Sequence, residues 1–148
     1  MAVLIVQIVA TAIARYFLPW RDAVRIGMSA LFLFTGASHF SPLKHDMAAM
    51  IPPPLTGALW VIYVTGVLEL AGAVGLLSRR WRTAAAWGLI AMLVGLFPAN
   101  VYAAIAGVKL GGSDATPLLL RTPLQLLWIA ALYWSVIRRP ETRQYTGQ

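Results

Sequence analysis

Apolar residues fill five stretches of this chain, at about 2–18, 23–40, 57–77, 83–106 and 117–137, and polar residues gather in the connections between them. Each stretch approaches the ~20 helical residues that cross a hydrocarbon core of about 30 Å. Helices are the expected form. Backbone exposed to lipid must satisfy its own hydrogen bonds, and the ~10-residue alternating segments of a membrane barrel are absent. The pattern therefore predicts an all-α, polytopic membrane helix bundle with five spans.

The first stretch contains Ala12-Ile13-Ala14, which has the A-x-A form of a signal-peptide cleavage site, but no positive charge precedes it, so an uncleaved helix is expected. Between the second and third stretches, residues 44–50 suit a short interfacial helix with Met47, Met50 and Ile51 dipping into the lipid boundary. Pro52, Pro53 and Pro54 then stop it. The connection around Gly111-Gly112 is Gly-rich and turn-like, and is the more mobile candidate. In the fourth stretch Ala91, Gly95, Ala99, Ala103 and Gly107 recur every four residues, a pattern that places this helix at the centre of the bundle. Pro98 interrupts the stripe and leaves a carbonyl near residue 94 in need of a partner. Gly66, Gly72 and Gly75 extend the close-packing theme to the third stretch.

Composition and charge sharpen this picture. Of the 148 residues, 59% are hydrophobic and only 11% charged, which excludes an ordinary soluble domain. With no cysteine there is no disulfide framework and no thiol nucleophile, so any redox chemistry uses a bound cofactor or a partner. The net charge of +7 is not gathered into a nucleic-acid-binding stripe. Arg15, Arg21, Arg25, Arg79, Arg80, Arg82, Arg138, Arg139 and Arg143 fall at one end of the predicted spans, against Lys44, Lys109 and Arg121 at the other. The positive-inside rule then places the N-terminus outside and the C-terminus in the cytoplasm.

Against this background Glu69 stands out, a carboxylate near the centre of VTGVLELAGAVGLL. An ionisable group in a span costs several kcal/mol unless paired, neutralised or hydrated, and it faces the bundle interior. At ~1.5 Å per helical residue, His39, Arg121, Asn100, Gln125 and Glu69 fall at successively greater depths from the outer face. Together they predict a polar cavity open to the outside and closed below. Glu69 is then interhelical glue hydrogen-bonded to Asn100 or Gln125, a water-mediated partner of Arg121, or a proton-exchanging ligand group. Trp128, three residues beyond Gln125, either faces lipid or stacks on a flat ring in the cavity. No ligand spacing points to a metal, and no nucleophile elbow appears.

The motifs GASHF at 36–40, GVLELAGAVGLL at 66–77, FPANVYAA at 97–104 and RTPLQLLWIAALYW at 121–134 together resemble the DoxX-like family of small bacterial membrane proteins, over about residues 22–137. The resemblance implies a four-helix membrane core over 21–137. Residues 1–20 are then an additional N-terminal transmembrane helix and 138–148 a cytoplasmic tail. It also implies a bacterial inner-membrane component of a quinone-linked redox pathway, and places His39, Glu69, Asn100 and Arg121 within recurring motifs. On this reading a quinone or similar small amphipathic molecule enters the cavity, Glu69 exchanges its proton, and His39, Asn100, Arg121, Gln125 and Trp128 line the site. A non-enzymatic small-molecule or proton transporter, a lipid-binding bundle and an assembly factor are the alternatives. Membrane lipids, a redox partner protein and further copies of the chain are the expected partners, and nucleic acid is not.

Overall fold

The computed structural model describes residues 2–114 and 116–138 of the chain. Arg139, Arg143 and the remainder of the predicted tail lie outside them. The described residues are mostly helical. They form α1 (Ala2–Phe17), α2 (Trp20–Ser38), α3 (Lys44–Ala49), α4 (Leu59–Leu77), α5 (Arg82–Ile105) and α6 (Leu118–Leu132), which continues into a π-helical turn, Tyr133–Ile137. Three segments are long and apolar enough to cross a membrane: Leu59–Leu77, Arg82–Ile105 and Leu118–Ile137. α1 is apolar but has only 16 residues, and α2 carries Arg21, Asp22 and Arg25 in its first turns.

Proline sets several of the boundaries. α1 ends just before Pro19, which disfavours a helical conformation in the residue preceding it, and Pro117 precedes α6. The short helix α3 forms where the loop pattern placed it, and Pro52 to Pro54 follow it. Its methionines do not all turn outward, however: Met50 is buried together with Ala48. The Gly-rich connection is also more structured than its composition implied. Lys109–Leu110 (β1) pairs antiparallel with Ser113–Asp114 (β2), and Gly111 and Gly112 both adopt positive φ at the tip. Two consecutive left-handed residues make the tight turn whose twist matches paired strands. The Gly111 N–H donates to Asp46 Oδ2 at 2.8 Å, so the hairpin is docked on α3.

α2, not α5, is the central helix. It packs against α1, α4, α6 and the π-helical turn, whereas α5 is the least buried of the three long apolar segments. The expectation drawn from the small-residue stripe is thus overturned. Ala91 and Gly95 are exposed, and a Cβ placed on Gly95 would meet nothing within 4 Å. α5 instead presents Ala86, Leu89 and Ile90 to the core, one helical turn apart on another face. In α4 the close packing holds, with Gly72 against Leu89 and Gly75 against Ala85.

The core unites Met28, Leu31 and Phe32 of α2, Ala73 and Leu76 of α4, Ala86, Leu89 and Ile90 of α5, Leu132 at the end of α6 and Val136 of the π-helical turn. These positions occupy the half of the bundle nearer the arginine-rich turns. At that end basic side chains bind carbonyls at helix C-termini, groups that have no acceptor role left inside the helix. Arg25 donates to Leu76 O at 2.8 Å and pairs with Asp22 at 2.9 Å, Arg15 donates to Leu18 O, and Arg21 donates to Arg138 O.

Candidate functional site

The site is built where α2 and α4 pack against each other through glycines. Rising positions on α2 meet falling positions on α4, so the pair is antiparallel: Arg25 bonds Leu76 O, and Ser29 Oγ donates to Ala73 O at 2.8 Å. Further along, each helix supplies a glycine opposite the other's titratable residue. A Cβ on Gly36 would lie 3.2 Å from Glu69 Cβ and 3.0 Å from the Leu70 side chain. A Cβ on Gly66 would lie 2.6 Å from His39 Cβ, closer than two carbons approach. The glycines therefore seat Glu69 and His39 in one interface, and the i, i+3 spacing of Gly36 with His39 and of Gly66 with Glu69 keeps each pair on one helix face.

His39 is buried, and its Nδ1 lies 2.9 Å from Thr35 O, one turn back. A carbonyl only accepts, so Nδ1 carries the hydrogen. In the neutral ring Nε2 is then the acceptor. Glu69 is 8% exposed, and the groups that bear on its carboxylate are the Thr35 hydroxyl and the His39 ring. Its Oε2 is buried without a hydrogen-bond partner among the described residues. A buried polar atom left in this state costs about 1–3 kcal/mol, and more when charged.

The other predicted residues divide into two groups. Gln125 and Trp128 are committed within the protein. Gln125 Nε2 donates to Leu93 O at 3.0 Å, beside the carbonyl that Pro98 leaves unbonded, and Trp128 Nε1 donates to Gln7 Oε1 at 2.9 Å. Gln7 also reaches Met28, so a residue that sequence reasoning passed over joins α1 to α2 and α6. Its signal was a lone amide in an apolar run, and its partners lie far away in the chain. Asn100 and Arg121 are half-buried and make no side-chain hydrogen bond or ion pair with another described residue. No hydrogen bond among the described residues joins Glu69 to Asn100, Arg121 or Gln125. Polar residues at the hairpin end add Lys44, which donates to the Tyr63 hydroxyl at 3.0 Å, and Asp46, which holds the hairpin.

A groove of about 920 Å³ lies elsewhere, on the outer face between α4 and α5. Val67, Leu68, Ala71, Val74, Gly88 and Met92 line it, together with other small and apolar residues, and none of the six predicted site residues does. The carboxylate and the groove use opposite faces of α4.

Residues 28–137 match the family described as a domain of unknown function, DUF8561, and the chain belongs to that family. No curated protein and no solved structure matches the chain.

Proposed function

We propose that this DUF8561 member is an integral membrane component of a quinone-linked redox pathway that binds a quinone or similar small amphipathic molecule at the polar end of its bundle. The proposal includes five spans in a bacterial inner membrane, with the N-terminus outside, and kinship with the DoxX-like proteins. The observation that carries it is Glu69 Oε2, buried without a hydrogen-bond partner among the described residues, beside a histidine whose Nδ1 is taken up by Thr35 O. A buried carboxylate oxygen with an unmet acceptor, next to an imidazole, suits a ligand that brings hydrogen-bonding hydroxyls and exchanges protons. Asn100 and Arg121 keep uncommitted donors for ligand carbonyls, and the packed apolar core below limits how deep a ligand goes. Gln125 and Trp128 hold helices together around the site. The same carboxylate and histidine would also serve a proton-conducting transporter, which is the second reading.

The test is calorimetric binding of a short-chain benzoquinone and its quinol to the full chain in detergent. Glu69→Gln keeps shape and hydrogen-bonding capacity, so the protein stays folded, with stability changed by no more than about 1 kcal/mol. Quinol binding is lost in that variant, and Arg121→Gln weakens it. Unimpaired binding by Glu69→Gln overturns the proton-exchange role, and absence of binding by the unaltered chain overturns the quinone assignment.

A further inference from the structure

We propose that the groove between α4 and α5 is a binding site for an anionic glycerophospholipid, with an acyl chain in the groove and the phosphate on Arg79 and Arg80. The lining runs from Val67 along α4 to Ser78 just past its end, and from Trp81 just before α5 along that helix to Met92. At ~1.5 Å per residue either stretch covers about 16 Å. That is the depth of one leaflet, half of a hydrocarbon core of about 30 Å. A partner helix crossing the membrane would use a seam along the whole span, whereas this groove stops midway. Its interior is open to a flexible chain, because a Cβ on Gly88 would meet nothing within 4 Å.

The end of the groove at the α4–α5 turn supplies the charge. Ser78 and Trp81 line it, and the turn between them exposes Arg79 and Arg80. The Arg80 guanidinium lies 5.5 Å from the centre of the Trp81 ring, and neither arginine forms an ion pair with a described residue. No acidic residue occurs between Glu69 and Asp114, so nothing nearby in sequence neutralises the pair. Guanidinium groups bind phosphate oxygens through paired N–H donors, and tryptophan settles at the headgroup boundary. An apolar slot of leaflet depth capped by two such groups matches an anionic headgroup with its chain attached.

The experiment is native mass spectrometry of the full chain released from detergent containing dioleoylphosphatidylglycerol or dioleoylphosphatidylcholine. The unaltered protein retains the anionic lipid preferentially, by about fivefold for each arginine involved. Arg79→Gln combined with Arg80→Gln brings retention down to the phosphatidylcholine level. Gly88→Leu, which fills the groove, removes bound lipid of both kinds while the arginines remain. Ala84→Leu fills the same groove and serves if Gly88→Leu fails to fold, as judged by circular dichroism. Equal retention of the two lipids by the unaltered protein overturns the proposal. So does undiminished retention of phosphatidylglycerol by a folded groove variant, since the arginines then act only as surface charge. A groove variant that changes the oligomeric state and leaves lipid retention intact assigns the groove to a second copy of the chain instead.

Discussion

Gly66, which faces His39, and Gly88 make opposite demands on substitution. Adding a methyl group to an exposed helical glycine gains up to about 1 kcal/mol from backbone propensity, which is the outcome expected for Gly88→Ala. At Gly66 the same methyl group would sit 2.6 Å from His39 Cβ, an atom next to the backbone that has no flexible end to move. Overpacking of this kind costs about 1–3 kcal/mol, so Gly66→Ala lowers the thermal midpoint in detergent while Gly88→Ala leaves it unchanged or raises it. A Gly66→Ala midpoint at or above that of the unaltered protein would show that α2 and α4 are not held this closely. The importance of Glu69 is legible in the sequence, because a carboxylate inside an apolar run has few tolerable environments. The seats that Gly36 and Gly66 provide are not, since one glycine in a helical run looks like another until the opposing helix is known.

Among the elements, α1 has the most to reveal, because one amide ties it to two other helices. Gln7 accepts from Trp128 and reaches Met28, so α1 is joined to the bundle by polar groups as well as by apolar packing. Interhelical hydrogen bonds between membrane helices average about 0.6 kcal/mol and reach about 1.7. Gln7→Leu and Trp128→Phe each lower stability by about that amount, and the double variant by less than the two single effects combined. Additive losses in such a cycle would mean that the two side chains do not meet in the protein. The hairpin carries a similar lesson. Gly111-Gly112 announces a turn, but its docking depends on Asp46, 65 positions earlier in the chain.

For the whole molecule the asymmetry between its ends is the governing feature. Arginines bind carbonyls at one end, the apolar core fills the half beside them, and His39, Asn100 and Arg121 lie toward the other end. The proposed orientation follows from the distribution of basic residues. The chain has no cysteine, so single introduced cysteines report cleanly. Cysteines at Ser41 and Ser113 react with an impermeant thiol reagent applied to intact cells, and one at Thr142, outside the described residues, reacts only after permeabilisation. Labelling of position 142 in intact cells would invert the orientation and turn the polar end toward the cytoplasm.

From the sequence alone follow the helices, their approximate limits, the charge asymmetry and the exceptional character of Glu69. Each of these depends on local composition: apolar length, proline, and the cost of an ionisable group among apolar neighbours. Only the tertiary structure decided which face of each helix is used. The stripe of Ala91 and Gly95 has the spacing of a packing seam, yet it lies exposed, because α2 takes the centre with contacts on several sides. Gln125 and Trp128 share with Glu69 the look of cavity residues, yet their hydrogen bonds are taken by Leu93 and Gln7. A small or polar residue on a helix can pack, bind or face lipid, and the choice belongs to whatever lies opposite, which spacing along one helix does not record.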